Sequence, residues 1–320
     1  MIITDKFTLF NIFLKKNIVY LILSINTIPI NENEILITIN NKILKFDSKL
    51  VKNQGEPILI FKYDYPDFEK NKEKNNKILA KILYKNITYN VSCEIIKPQK
   101  KKTLAITTLF KNDYNVFKIF YEYYKKQGVE HFYMYYNGVV NDEIAKLFNK
   151  EDVTLIEWKF RYWNPSNYKY QHHAQLGQMH DSLYRFGKDS FKYMIYCDLD
   201  EYLHIDNYTL KEFILKNNEI DVFGFCNIWS RCINDEIPIK FPTKFYIDQK
   251  KLNYKNRSKN IYKLDKINIL TIHHLYTPPK DRRCPENIKQ ILDLNMYHFI
   301  NWSKRNRYEK VEIIKTIKDL

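Results

Sequence analysis

Thr103-Leu-Ala-Ile-Thr-Thr-Leu-Phe110 is an apolar run of strand length, and the rhythm that follows it decides the fold. Val116 to Gln127 repeats large apolar residues at helical spacing, at Phe117, Phe120 and Tyr124, and Gly128 stands where such a helix would be capped. His131 to Tyr136 (HFYMYY) is the next strand, Asp142 to Asn149 the next helix, and Val153 to Trp158 a third strand. Ala174 to Phe186 reads as a further helix leading into the strand Tyr193-Met-Ile-Tyr-Cys197. Strands and helices alternating at this interval predict an α/β domain over residues 103–320, with a mostly parallel sheet flanked by helices.

Upstream the rhythm is different. Ile35-Leu-Ile-Thr-Ile39, Pro57-Ile-Leu-Ile-Phe-Lys-Tyr63 and Lys81-Ile-Leu-Tyr-Lys-Asn-Ile-Thr-Tyr-Asn-Val91 are short apolar or alternating runs between polar turns. They predict strands of an all-β, sandwich-like domain over residues 1–98. The run Lys97-Pro-Gln-Lys-Lys-Lys102 then reads as a linker.

Composition narrows the field. An apolar fraction of 45% excludes general disorder. The formal charge of +15 raises the question of a polyanionic partner, but the excess is uneven. Residues 1–100 carry 16 Lys/Arg against 10 Asp/Glu, residues 101–249 carry 19 against 20, and residues 250–320 carry 17 against 7. A neutral middle argues against a basic face that binds nucleic acid. Cys93, Cys197, Cys226, Cys232 and Cys284 are scattered with no CxxC pair, so neither a zinc site nor a disulfide scaffold is indicated. The best N-terminal membrane candidate, Asn17 to Ile30, has an apolar run too short to span a bilayer and no small-residue cleavage site. It reads as a buried strand and the protein as cytoplasmic; a degenerate signal segment or membrane-surface association is the alternative.

Asp198-Leu199-Asp200-Glu201 follows the apolar strand that ends at Cys197. Ligands of open parallel sheets bind beyond the carboxyl ends of the strands. Residues two apart on an extended segment point the same way, so Asp198 and Asp200 can face one hard cation, Mn2+ or Mg2+. Such a cation commonly bridges substrate phosphates. Gly55, Gly128, Gly138, Gly177, Gly187 and Gly224 form no GxGxxG or Walker arrangement, which excludes a dinucleotide fold and a P-loop. Metal and basic side chains, Lys259 or Lys263 among them, would have to hold a diphosphate instead.

From Thr107 to about Lys310 the chain resembles the GT-A glycosyltransferases of family 92 and their family 2 relatives. The resemblance lies in Lys111-Asn112-Asp113 after the first strand and in Tyr123 to Asn137 (YYKKQGVEHFYMYYN) across the next helix and strand. It continues in Gln175 to Arg185 (QLGQMHDSLYR), Asp198 to Leu203 (DLDEYL), Ile228-Trp229-Ser230 and Lys259 to Lys263 (KNIYK). Then come His273 or His274, and Tyr297-His298-Phe299 with Ser303. It implies a Rossmann-like GT-A fold and a metal-dependent, inverting transfer of a sugar from a nucleotide-sugar donor, a UDP-sugar foremost, to a glycan or glycoconjugate acceptor.

The same resemblance implies roles. Lys111, Asn112, Asp113 and Asn137 would hold the nucleoside, Gln175 and Asp181 the donor sugar and ribose, and Lys259 the diphosphate. Asp198, Asp200 and His298 would be the metal ligands. An inverting reaction also needs a carboxylate to accept the acceptor's proton, for which Asp235, Glu236 and Glu201 are candidates. Trp229 is a candidate platform for the acceptor sugar. Plainer readings stand beside these: Asn137-Gly138 as a strand-ending turn, Asp181 as a structural hydrogen-bonding partner, His298 as a core histidine, Trp229 as core. Tyr202 stands where the family usually has Phe. For the N-terminal domain three roles stay open: glycan binding, packing on the second domain, or forming a homodimer. Two rivals remain, a nucleic-acid-binding protein and a haloacid-dehalogenase-type phosphatase. The latter normally carries Thr or Val where this chain has Glu201-Tyr202.

Overall fold

The structure, a computed structural model, describes the chain apart from residues 1, 5–6, 26–31, 52–57, 67–75, 98, 164–172, 235, 249, 253–256, 273–287, 301, 303–312 and 318–320. It divides into two compact units: residues 1–100 with 160–190, and residues 101–159 with 191–320.

The first unit contains β1 (Ile2–Ile3), β2 (Phe7–Lys15), β3 (Ile18–Ile25), β4 (Leu36–Ile39), β5 (Lys42–Ile43), β6 (Lys45–Val51), β7 (Ile58–Asp64), β8 (Lys77–Tyr84) and β9 (Ile87–Ile96). They form one sheet in the order β5-β4-β8-β9-β2-β3-β7-β6, with β1 beside β2. The terminal strands β5 and β6 are joined by Leu44 alone, so the two ends of the sheet lie together. The Tyr63 hydroxyl donates to the Ile35 carbonyl at 3.2 Å and the Asn40 amide to the Tyr65 hydroxyl at 3.3 Å, tying the two ends. The sheet has curled almost into a barrel around Phe7, Leu14, Leu21, Leu23, Ile37 and Phe61. This corrects the expected sandwich. Alternating residues show only that each strand has one inward face, and a curled sheet meets that demand as well as two facing sheets do. The turns are set by left-handed pairs, Asn40-Asn41 (φ 51 and 60) and Lys85-Asn86 (φ 47 and 62), as tight hairpins require. The second pair cuts the run Lys81 to Val91 into β8 and β9.

The helix His173–Asp181, continued by a π-helical turn over Ser182–Gly187, belongs to this unit and packs on β2 and β3. Gly177 permits that approach, because a Cβ there would lie 2.7 Å from the Phe10 ring.

The second unit contains β10 (Lys102–Phe110), β11 (His131–Tyr136), β12 (Val153–Glu157), β13 (Phe191–Tyr196), β14 (Glu201–His204), β15 (Val222–Cys232), β16 (Lys244–Ile247), β17 (Lys259–Lys263), β18 (Gln290–Phe299) and β19 (Ile313–Thr316). Its opening follows the expected pattern: β10 runs parallel to β11 and β13, and β11 to β12. Beyond that the expectation of a mostly parallel, Rossmann-like GT-A sheet flanked by helices fails. β17 is antiparallel to β13 and β15, β16 to β15, β19 to β16, and β14 to β18; among the described residues only β15 and β18 return to a parallel pairing. The ten-stranded sheet is mixed. A parallel crossover needs a connection long enough to hold a helix, whereas short connections turn the chain back antiparallel. After β14 the described helix is Leu210–Lys216 alone, and strand then follows strand. The helix His173–Asp181, expected to flank this sheet, is part of the first unit.

Helix Phe117–Lys126 buries Phe117, Ile119, Phe120, Tyr123 and Tyr124. It ends at Gly128, whose φ of 86 lets the Val129 N–H reach back to the Tyr124 carbonyl at 3.0 Å. No helix among the described residues is long and apolar enough to cross a membrane.

Candidate active site

β13 ends at Tyr196 and delivers Cys197, Asp198, Leu199 and Asp200 to a tight turn. There the Glu201 N–H donates to the Asp198 carbonyl at 3.2 Å and the Asp198 N–H to Glu201 Oε2 at 2.8 Å. Glu201 then opens β14. Helix Phe117–Lys126 fixes this short strand: the Tyr124 hydroxyl donates to the Glu201 carbonyl at 2.8 Å and accepts from the Leu203 N–H at 3.1 Å, and the Tyr123 hydroxyl donates to the Leu203 carbonyl at 2.7 Å. On the other edge of β14, register pairs Glu201 with His298 of β18, and β18 in turn pairs His298 with Trp229 of β15. Adjacent paired residues share a sheet face, so Glu201, His298 and Trp229 lie in one row.

The polar atoms converge. His298 Nε2 is 3.3 Å from Asp200 Oδ2, and His298 Nδ1 is 3.6 Å from Glu201 Oε1. Asp200, Glu201 and His298 are each buried, and each offers a ligand atom within 4.8 Å of the others. Asp198 is engaged differently. Tyr196 pairs with Asn260, which puts Lys259 at the end of β13, and its ammonium lies 2.9 Å from Asp198 Oδ2 and 3.2 Å from Glu201 Oε2.

The electrostatics follow from burial and sign. Burial raises Glu201 to about 7, with the Lys259 charge working against the shift. Burial opposes the charge on Lys259, but Asp198 and Glu201 outweigh it and raise its pKa. Asp113 is raised to about 6 by burial and then by the charges of Asp200 and Asp198. The carboxylates therefore project a negative field that one lysine does not cancel. Two oxygen donors and one imidazole, buried and convergent in a negative field, suit a hard divalent cation such as Mn2+ or Mg2+.

The residues singled out in the sequence are distributed as follows. Lys111 and Asn112 are exposed at the end of β10, where the Lys111 N–H donates to Asp113 Oδ1 at 3.3 Å. Asn137 ends the neighbouring β11; its N–H donates to the Phe110 carbonyl at 2.8 Å and its side-chain amide to the Trp158 carbonyl at 2.8 Å. Because β10, β11 and β13 are parallel neighbours, these residues share the carboxyl edge of the sheet with Asp198 and Asp200. Gln175 and Asp181 lie in the first unit. There Gln175 accepts from the Tyr162 hydroxyl at 3.2 Å, and the fully buried Asp181 accepts from the Asn11 amide at 2.6 Å with Arg185 at 3.5 Å. Glu236 is exposed on the bend after β15. Asp235, His273, His274 and Ser303 lie outside the described residues. Trp229 is 4% exposed, with its ring 4.7 Å from that of His298 and the Arg257 guanidinium 5.2 Å from its centroid. Three contributors carry no role in the sequence reading: Tyr123 and Tyr124, through their hydroxyls, and Arg257. Adjacent tyrosines on the buried face of a helix, and a second cation two residues before Lys259, were the available signals.

The family model for glycosyltransferase family 92 matches residues 100–319. No curated protein matches the chain.

Proposed function

The chain belongs to glycosyltransferase family 92, and from that premise we propose that its second unit transfers a sugar from a nucleoside diphosphate donor, a UDP-sugar foremost, to a hydroxyl of a glycan or glycoconjugate, with inversion and with Mn2+ or Mg2+. Glycosyl transfer itself comes with the family. The observation that carries the metal-dependent reading is the convergence of Asp200, Glu201 and His298, all buried, within 4.8 Å. When bound there, the cation would neutralise charge on the departing diphosphate.

In this reading Asp198 is held to Lys259 and orders the turn through Glu201, instead of completing the ligand set. The Lys259 charge works against the burial that raises Glu201, and so favours the ionised form that a metal ligand takes. Asp113, Lys111, Asn112 and Asn137 flank the carboxylates along the strand ends and form the nucleoside side of the site. Glu236 and the adjacent Asp235 are assigned to accepting the acceptor's proton, because Glu201 is buried and already engaged. Trp229, buried against His298, is assigned to supporting that imidazole and not to stacking an acceptor sugar.

A panel of UDP- and GDP-sugars, each with Mn2+, scored for released nucleotide, tests the reading. We expect turnover that EDTA abolishes, and a loss of about a hundredfold or more in D200N. Turnover indifferent to EDTA would remove the metal from the mechanism. Silence from every donor would remove the nucleotide sugar.

A further inference from the structure

We propose that Arg257, and not Lys259, is the side chain that grips the phosphates of the donor. This rests on the nucleoside diphosphate reading above and adds a substrate-binding residue to it.

Lys259 is badly placed for the task. Its side chain is 3% exposed, and its ammonium is shared between Asp198 at 2.9 Å and Glu201 at 3.2 Å. Moving it to a phosphate would strand two carboxylates. Arg257 stands two residues earlier and is exposed. The intervening Ser258 and the following Lys259 are buried, so Arg257 sits on an anchored stem just before β17. Its guanidinium lies over the Trp229 ring, and that ring rests against His298. One indole therefore separates an exposed cation from the proposed metal-binding imidazole.

Three physical arguments point the same way. First, a diphosphate approaching Asp198, Asp200 and Glu201 meets like charge. A divalent cation offsets the carboxylates, and a second positive group is needed on the solvent side of the site. Second, a guanidinium is the better group for this role, since its planar fork matches two phosphate oxygens and it can remain stacked on an aromatic ring while it does so. The stack also restricts the side chain before any ligand arrives, lowering the entropy lost on binding. Third, Arg257 has a φ of 54, the left-handed region that non-glycine residues enter at a cost. Such conformations persist where the surroundings hold them and concentrate at ligand clamps.

Calorimetric titration of the full chain with UDP, GDP, uridine and guanosine in Mn2+, and with Mn2+ alone, distinguishes the outcomes. We expect R257A to weaken nucleoside diphosphate binding about tenfold to a hundredfold while leaving uridine and Mn2+ binding unchanged. R257K, which keeps the charge but lacks the fork, should recover part of the loss. Diphosphate binding within twofold of wild type in R257A would overturn the proposal. So would a parallel loss of uridine or Mn2+ binding, which would mark a collapse of the Trp229 contact. A wild-type chain that binds neither UDP nor GDP would instead defeat the donor reading, and this proposal with it.

Discussion

Tyr202 of β14 and Lys259, which opens β17 and ion-pairs with Glu201 beside Tyr202, illustrate opposite uses of a buried polar atom. The Tyr202 ring packs among Tyr123, Phe241, Phe299 and Trp302, and its buried hydroxyl has no hydrogen-bond partner among the described residues. An unsatisfied buried hydroxyl costs free energy that phenylalanine would not. Y202F should therefore raise stability by about 1 kcal/mol with turnover unchanged; a destabilised Y202F in denaturant titration would reveal a partner for that hydroxyl. Lys259 is the reverse case. Removing one member of a buried ion pair leaves the others uncompensated, at a cost of about 3–5 kcal/mol. K259M should lower the melting temperature sharply, and Mn2+ should restore part of the loss by supplying positive charge near Glu201. A K259M melting curve superimposed on wild type would show that the lysine is not the counter-charge. The sequence made Asp198 and Asp200 legible because they end an apolar strand. It could not show that Asp198 is held by a lysine 61 residues away, since a salt bridge of that separation leaves no local pattern.

The same limit governs whole elements. β10 to β13 and their first two helices were legible because each shows its own period, and repeating connections long enough to hold a helix imply parallel neighbours. β15 to β19 carry strand patterning too, but whether a strand runs with or against its neighbour depends on long-range pairing. β18 illustrates this by pairing antiparallel with β14 and parallel with β15. The parallel part holds a group with a clear pH signature. His131 of β11 contacts the Thr154 hydroxyl of β12 at 2.8 Å, and burial, then the charge of Lys102, lowers its pKa to about 4 against an ordinary 6.5; Lys125 adds to this and Asp152 opposes it. Above pH 6.5 the imidazole is neutral in both folded and unfolded chains. Between pH 6.5 and 4 the unfolded chain takes up a proton that the folded chain refuses, so stability falls as pH falls through that window and levels off below it. Replacing it in H131Q keeps an amide beside Thr154 and removes the titration. The drop in melting temperature from pH 7 to pH 4.5 should be smaller in H131Q than in wild type, and equal drops would show that His131 protonates normally in the folded protein.

At the scale of the molecule, the chain's order and its compact units do not coincide. The linker near residue 100 marks a true change of architecture, yet residues 160–190 leave the second unit's sequence and complete the first. That excursion was invisible beforehand because its helical pattern is sound wherever the helix docks. What fixes its place is a set of contacts with residues 1–100: Gly177 against Phe10, Asp181 with Asn11, and Arg185 with Glu94. Asp181 is fully buried, and Lys15, 5% exposed, pairs with Asp189 at 2.9 Å while donating to the Tyr184 carbonyl at 3.0 Å. A chain cut after residue 100 would keep this segment but lose every one of those partners. Buried charges without partners are costly, so the segment cannot stay folded alone. The fragment 101–320 should therefore be cleaved preferentially within residues 160–190 under limited proteolysis, and residues 1–100 supplied in trans should protect the same sites. An isolated fragment that resists cleavage there would mean that residues 160–190 hold their fold without the contacts they make to residues 1–100.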